Sequence, residues 1–166
     1  MTRRHYFLIA LLPLMLMVAW HFLSPGRQLR AAQKQLLEAI SSKDHQKLDG
    51  LLAENYTDTW GFTRRDWPLI LTDLRRLSPI FEIRALNPQF DTKNGVVETG
   101  LQAISAGGPA AEYMESQAAE LKQPTRFLWK RESWRPWSWR LYSIENRDVE
   151  LPSSYRPGSY SGDLTF

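Results

Sequence analysis

Apolar side chains in the first part of the sequence follow a helical period. Between residues 28 and 42, leucine, alanine and isoleucine recur at spacings of three and four, which predicts an amphipathic helix packed on its apolar side. Asp44 follows a polar break and suits the N-cap of a second, short helix. Thr63 and Asp66 have the spacing of a capping box, so we expect a third helix to begin there and continue towards Leu77.

The period of the apolar pattern changes from helical to two after Pro79. Alternating apolar and polar residues predict a strand, the Asn94-Gly95 pair predicts a tight turn, and a second strand returns over residues 97–104. Gly100, inside that return strand, indicates a bulge or bend. A helix at 110–121 is then expected to connect to a final hairpin, which is the most aromatic part of the chain.

This order of elements indicates an α+β fold. We expect three N-terminal helices packed on a curved, mainly antiparallel sheet of four to five strands, in a domain spanning residues 27–148. Glu82, Arg84 and Glu98 would lie on its solvated face. The segment 149–166 is rich in proline, serine, glycine and tyrosine, and we expect it to be an extended or flexible tail.

The N-terminal segment contains an apolar run, Tyr6–Leu23, of eighteen residues without Asp, Glu, Lys or Arg. As a helix the run would extend about 27 Å, nearly the thickness of a bilayer core. It predicts that residues 1–26 anchor the protein in a membrane, with the domain on the extracytoplasmic, periplasmic side. The alternative is a cleaved signal peptide and a secreted domain, although Ser24-Pro25-Gly26 is a poor cleavage site.

Composition narrows the possible chemistry. The chain of 166 residues has a formal net charge of +3, but two of its 21 basic residues, Arg3 and Arg4, precede the apolar run, so the remainder nearly balances the 18 acidic residues. We therefore expect no nucleic-acid partner. With zero cysteines and only three histidines, none of them on a predicted strand, the sequence predicts no metal site and no cofactor.

Four short stretches carry a resemblance to a known family. They are Ser42-Lys43-Asp44, Leu51-Leu52-Ala53-Glu54-Asn55-Tyr56, the helix start at Gly61–Asp66, and the hairpin from Trp129-Lys130-Arg131 to Trp137-Ser138-Trp139-Arg140-Leu141. Over residues 28–147 the chain resembles the nuclear transport factor 2-like superfamily, which includes ketosteroid isomerases and polyketide cyclase-like proteins. The resemblance implies a cystatin-like cone: long helices cover the concave face of a bent sheet and leave a pocket, and the opposite face is available for a dimer. It fixes no activity, since this superfamily contains enzymes, binding domains and scaffolds.

Asp58 and Tyr56 are the candidate acid and base groups. They lie between predicted helices, where the resembled fold places side chains at the mouth of its pocket, and such groups act as acids or bases when an apolar environment shifts their pKa. The alternatives are ordinary packing for Tyr56 and turn hydrogen bonding for Asp58. An isomerase, cyclase or dehydratase is therefore one expected class of activity.

Six apolar side chains are candidates for contact with a ligand: Trp60, Phe81, Leu101, Phe127, Trp129 and Trp139. For the last three, filling the core is the alternative. The leading hypothesis is a non-catalytic domain that binds a small apolar ligand or a partner protein, with the helix at 109–121 as a lid. A structural subunit of an envelope complex, with a homodimer or partner on the outer sheet face, is a further alternative. Trp134 and Trp137, at the hairpin tip, are candidates for the membrane interface.

Overall fold

Helices come first along the chain and an antiparallel sheet follows. A computed structural model describes residues 24–133, 135, 137–149, 151 and 155–159. The helices are α1 (Pro25–Ser42), α2 (His45–Asp49), α3 (Trp67–Leu77), which continues a 3₁₀ turn at Arg64–Asp66, and α4 (Ala111–Glu120). The strands are β1 (Ile80–Asp91), β2 (Val96–Ala106), β3 (Thr125–Arg131) and β4 (Trp139–Glu145), and they pair antiparallel in that order. The predicted α+β class is confirmed, with four strands in the described part of the chain.

Local capping interactions start α2 and the 3₁₀ turn before α3 at the predicted residues. Lys43, between α1 and α2, has a φ of 55°, and the Asp44 carboxylate accepts a hydrogen bond from the Lys47 backbone N–H at 3.1 Å. This bond satisfies one of the donors that a helix start leaves open. At the 3₁₀ turn, the backbone N–H and the hydroxyl of Thr63 donate to Asp66 Oδ2 at 2.7 and 2.8 Å, as part of a capping box.

The bulge in the first hairpin lies in β1, not in β2 where the sequence places it. The strand register shifts between Leu86 and Gln89, and Asn87 has a φ of 51°. Gly100 pairs with Leu86 beside the shift, and a Cβ built on Gly100 would lie 3.4 Å from Leu86 Cβ. This is an ordinary van der Waals distance, so the glycine is not required for strand approach, and the extra residue of the bulge belongs to β1.

The outer edge of β4 is covered by the segment 51–59. Ala53 N–H donates to the Leu141 carbonyl at 2.9 Å, and Leu141 N–H donates to the Leu51 carbonyl at 2.8 Å. Two further backbone bonds, 3.1 Å each, join the same segment to β4 beyond Leu141. These bonds fix the backbone that carries Tyr56 and Asp58.

Residues of α1 and of the β3–β4 end of the sheet form most of the hydrophobic core. Phe127, Trp129 and Trp139 are 2%, 4% and 6% exposed and belong to the same buried cluster as the α1 leucines. The Trp129 indole N–H donates to Gln33 Oε1 of α1 at 2.9 Å, so this bulky side chain is buried with its polar atom satisfied.

Charged pairs mark the opposite, outer face of the sheet. Arg126 donates to Glu98 at 3.0 Å and to Glu145 at 2.8 Å, across three neighbouring strands. Arg84 pairs with Glu82 at 2.6 Å. All five side chains are well exposed, which confirms the predicted solvated face.

The expected membrane segment, Tyr6–Leu23, lies outside the described residues. Within the part of the chain that is described, no helix combines the length and the apolar character needed to cross a membrane. At the tip of the final hairpin, Trp137 is 70% exposed, whereas Trp134 is not among the described residues.

Candidate functional site

A partly enclosed apolar cavity of about 300 Å³, called the first cavity below, lies between α3, α4 and β1. Ile70 and Leu74 of α3, Phe81 of β1, Met114 of α4 and Trp60 of the segment before α3 all line it. The surface that these walls present is almost entirely carbon. Its volume lies at the lower end of the range for pockets that bind small molecules, about 300 to 1,000 Å³.

Asp58 is one of two aspartates that line the first cavity. Its side chain is buried, with Oδ1 accepting from the backbone N–H groups of Trp60 and Phe62 at 3.0 and 2.9 Å. Oδ2 accepts from the Tyr56 hydroxyl at 3.2 Å. Burial raises the pKa of Asp58, and these hydrogen bonds oppose that rise because they favour the carboxylate. Asp58 therefore both makes the predicted turn hydrogen bonds and forms part of the cavity wall.

Tyr56 lies behind Asp58 and does not itself line the first cavity. It is 2% exposed, and both its burial and the neighbouring Asp58 charge raise the pKa of its phenol. The Trp67 ring stands edge-on to it, with centroids 6.2 Å apart. The Trp67 indole N–H lies close enough to oppose this rise in the pKa of Tyr56, but it forms no hydrogen bond with the phenol. The phenol thus stays protonated and holds a proton against Asp58 Oδ2.

Asp73 of α3 is the second aspartate in the cavity wall and is 1% exposed. Its Oδ2 accepts from Gly158 N–H at 2.7 Å and from the Tyr155 hydroxyl at 3.2 Å, while Oδ1 is buried without a hydrogen-bond partner among the described residues. Burial and the Asp73 carboxylate raise the pKa of Tyr155. Two carboxyl–phenol pairs, Asp58 with Tyr56 and Asp73 with Tyr155, therefore border the first cavity.

Described residues of the segment 149–166 form part of the cavity wall, which the sequence did not lead us to expect. The Val149 carbonyl accepts from the Trp60 indole N–H at 2.9 Å, and Leu151 and Tyr155 line the first cavity. The Tyr155 ring packs edge-on against Phe62, with centroids 5.9 Å apart. The segment needs few aliphatic residues, because it packs on an existing core and does not have to form a core of its own.

A second apolar cavity of about 260 Å³ adjoins the first beneath α4. Leu101 and Ala103 of β2 form its floor, and Ala118 and Leu121 close it from the side of α4. Gln117 is the one amide side chain among its lining residues. The helix that the sequence predicts as a lid therefore lies over both cavities.

The six predicted ligand-contacting side chains divide into two groups. Trp60 and Phe81 line the first cavity, and Phe81 and Leu101 line the second. Phe127, Trp129 and Trp139 line neither cavity and are buried in the core cluster. For these three side chains the structure favours the core alternative.

Sequence reasoning missed Asp73 and Tyr155. A signal for Asp73 was present: it falls three residues after Ile70 and four before Leu77, on the apolar side of α3. A charged residue at such a position is rarely buried without a partner. No comparable local signal exists for Tyr155, whose partner lies 82 positions earlier in the chain.

The polar groups available to a ligand are few. In the described part of the chain, no three or more His, Asp and Glu side chains come together in a way that could hold a metal ion. The carboxyl groups of Asp58 and Asp73 and the phenol of Tyr155 belong to the wall of the first cavity, but their oxygens present almost no surface to it. The site can therefore bury carbon next to two buried carboxyl groups.

Comparison with known proteins gives the fold. No family model matches the sequence, and no curated protein matches it. A proposed dehydratase of the nuclear transport factor 2-like family from Streptomyces avermitilis aligns with a TM-score of 0.51 at 13% identity, covering 73% of this chain and 93% of that one. The fold is nuclear transport factor 2-like.

Two other solved structures share this architecture. A protein of unknown function from Mycobacterium tuberculosis aligns with a TM-score of 0.50 at 14% identity, over 81% of this chain and 80% of its own. Bd1075 of Bdellovibrio bacteriovorus aligns with a TM-score of 0.51 at 13% identity. The alignment covers 72% of this chain but only 40% of Bd1075. These structural alignments establish the fold, but at such low sequence identity they give no information about function.

Proposed function

We propose that this nuclear transport factor 2-like domain binds a small apolar molecule in the first cavity. The observation that supports this proposal is the cavity wall, which is almost entirely carbon although two buried aspartates lie in it. Both oxygens of Asp58 and Oδ2 of Asp73 accept from phenol or backbone donors, and Asp73 Oδ1 is buried, so the free surface of the cavity attracts apolar groups. A ligand that fills such a space gains about 25 cal/mol for each Å² of apolar surface removed from water.

Fluorescence of N-phenylnaphthylamine tests this proposal directly. Titration into the full chain should give saturable binding in the micromolar range, roughly the affinity that burial of one small aromatic molecule supplies. Ile70→Trp places an indole in the first cavity and should weaken binding at least tenfold. Thr72→Trp, on the exposed side of the same helix, is the matched control and should bind like the wild type. Equal binding by both variants would contradict the proposal.

An acid–base enzyme is the second candidate, because Asp58 combines burial, a raised pKa and a place in the cavity wall. A carboxyl group in this setting is suited to take a proton from an apolar substrate or to return it. Tyr56 would hold the carboxyl in position through its hydroxyl. An isomerase, cyclase or dehydratase would use these groups.

Deuterium exchange next to the carbonyl of small cyclic ketones provides an activity test for this candidate. Wild-type protein should accelerate the exchange, and Asp58→Asn, which keeps an acceptor for both backbone donors, should reduce the rate at least a hundredfold. An Asp58→Asn variant that exchanges as fast as the wild type would remove Asp58 from the mechanism.

We further propose that residues 1–26 anchor the domain at the extracytoplasmic side of a membrane. The support is the uncharged run Tyr6–Leu23 after Arg3 and Arg4. Full-length protein should remain in the membrane fraction after washing with alkaline carbonate, and external protease should digest its domain. Release by the wash, with a new N-terminus near residue 26, would favour the alternative of a cleaved and secreted form.

A partner on the outer sheet face is a third candidate, either a second copy or an envelope protein. The network of Arg126 with Glu98 and Glu145 occupies that face and would have to contribute to any such interface. Charge pairs at an interface steer association more than they strengthen it. Light scattering at low and high salt tests this candidate, because a strictly monomeric chain at both salt concentrations, without co-purifying partners, would argue against it.

A further inference from the structure

The two apolar cavities share one wall. The first, of about 300 Å³, and the second, of about 260 Å³, are both lined by the same five residues: Phe81, Tyr113, Met114, Val149 and Leu151. Because these residues border both spaces, the two cavities adjoin along them. Ala118 and Leu121 line only the second cavity, whereas Asp58 and Asp73 line only the first.

We propose that the two cavities form one elongated site that holds a single unbranched alkyl chain, such as that of a free fatty alcohol or fatty acid. This inference rests on the proposed function and names the class of ligand. Each cavity alone is at or below the small end of the range for ligand pockets, whereas the joined space falls well inside that range.

Met114 is the residue of the shared wall that opens most easily. Its side chain is unbranched and has three rotatable bonds, so a change of rotamer costs little and needs no hydrogen bond to break. It lies in the first half of α4, at the edge of the core cluster and only partly buried. A thioether that swings aside joins the cavities and remains in contact with the alkyl chain.

The composition of the two cavity walls determines which way the alkyl chain lies. The first cavity presents almost only carbon, which suits the methyl end. The second cavity contains the Gln117 amide and presents more polar surface than the first, which suits the hydroxyl or carboxyl head. The head of a chain long enough to span both cavities then lies beneath α4, beside Gln117, and its tail passes Met114 towards Trp60. An alcohol too short to span them occupies the first cavity alone.

Displacement of N-phenylnaphthylamine by straight-chain alcohols, from butanol to tetradecanol, tests the elongated site. We expect wild-type affinity to rise by about fourfold for each added methylene until the chain fills both cavities. Ala118→Trp fills the second cavity only, so it should bind short alcohols like the wild type, and its gain should stop at a shorter chain. Glu120→Trp, an exposed position on the same helix, is the matched control and should follow the wild-type series.

The outcomes separate this inference from the proposed function. If wild type binds short alcohols but gains nothing from longer ones, or if Ala118→Trp follows the full wild-type series, the elongated site is wrong and the first cavity remains a binding site. If wild type binds neither the probe nor any alcohol, the proposed function itself fails. Leu101→Phe, also in the second cavity, replaces Ala118→Trp if that variant does not fold. Displacement by phosphatidylcholine vesicles as strong as that by free alcohols would overturn the assignment to a free single chain.

Discussion

At the scale of single residues, the chemistry of this protein depends on two aspartates that are buried for different reasons. Asp58 is held by the turn it organises, because two backbone N–H groups and one phenol donate to it. Asp73 is held by Tyr155 and Gly158, which come from the far end of the described chain. Sequence alone identifies the first, whose donors lie within four positions, and misses the second, whose donors lie more than eighty positions away.

The raised pKa of Asp58 predicts a pH dependence of stability. The folded protein binds this proton more tightly than the unfolded chain, so the contribution of Asp58 to the free energy of unfolding is fully present below its ordinary pKa of about 3.9 and is lost as the pH rises through the folded pKa. Asp58→Asn does not titrate and keeps an acceptor for Trp60 and Phe62. The melting temperature of the wild type should therefore fall relative to that of Asp58→Asn as the pH rises above about 4. A difference that is constant with pH would contradict the assignment.

The hydrogen bond between Tyr155 and Asp73 predicts a measurable coupling. Tyr155→Phe removes one donor from a buried carboxyl and should lower the free energy of unfolding by about 1 kcal/mol. In a double-mutant cycle with Asp73→Ala, the two substitutions should couple by about 1 kcal/mol, measured by urea unfolding. Strictly additive effects would mean that the 155–159 segment does not bind Asp73 in solution.

At the scale of elements, local patterns determined what the sequence could predict. The starts of α2 and of the turn before α3 follow from Asp44 and from the Thr63–Asp66 pair, which act over three residues. The strand that carries the bulge cannot be read from a local pattern, because it is determined by the register in which β1 and β2 pair. The same limit applies to Trp129, since burial against α1 and exposure to a cavity have identical sequence patterns.

The turn of the first hairpin gives a test at this scale. Gly95 has a φ of 68°, and a Cβ there would overlap the Trp129 carbonyl oxygen, so Gly95→Ala should cost more than the roughly 1 to 2 kcal/mol of a left-handed residue alone. Gly61, with a φ of 82° and open space around it, provides the matched control. Gly61→Ala should show only the conformational cost in the same urea unfolding experiment. Equal losses would mean that the contact between the hairpin turn and β3 is not tight.

At the scale of the whole molecule, one sheet contributes to both the core and the cavities. The tryptophans of its β3–β4 end belong to the buried core cluster together with α1, while residues of β1 and β2 line two cavities beside α3 and α4. The order of elements predicted the nuclear transport factor 2-like architecture. The division between core and cavity could not be predicted, because it depends on where α4 and the 149–159 residues lie on the sheet.

Methyl NMR spectra of the full chain, labelled at isoleucine, leucine and methionine and titrated with N-phenylnaphthylamine, test the central claim most directly. The account predicts saturable shifts of the Ile70 and Met114 methyl groups, with the buried α1 methyls of Leu29 and Leu36 little changed. It would be contradicted if no methyl group shifts, or if the shifts are confined to exposed positions such as Leu86.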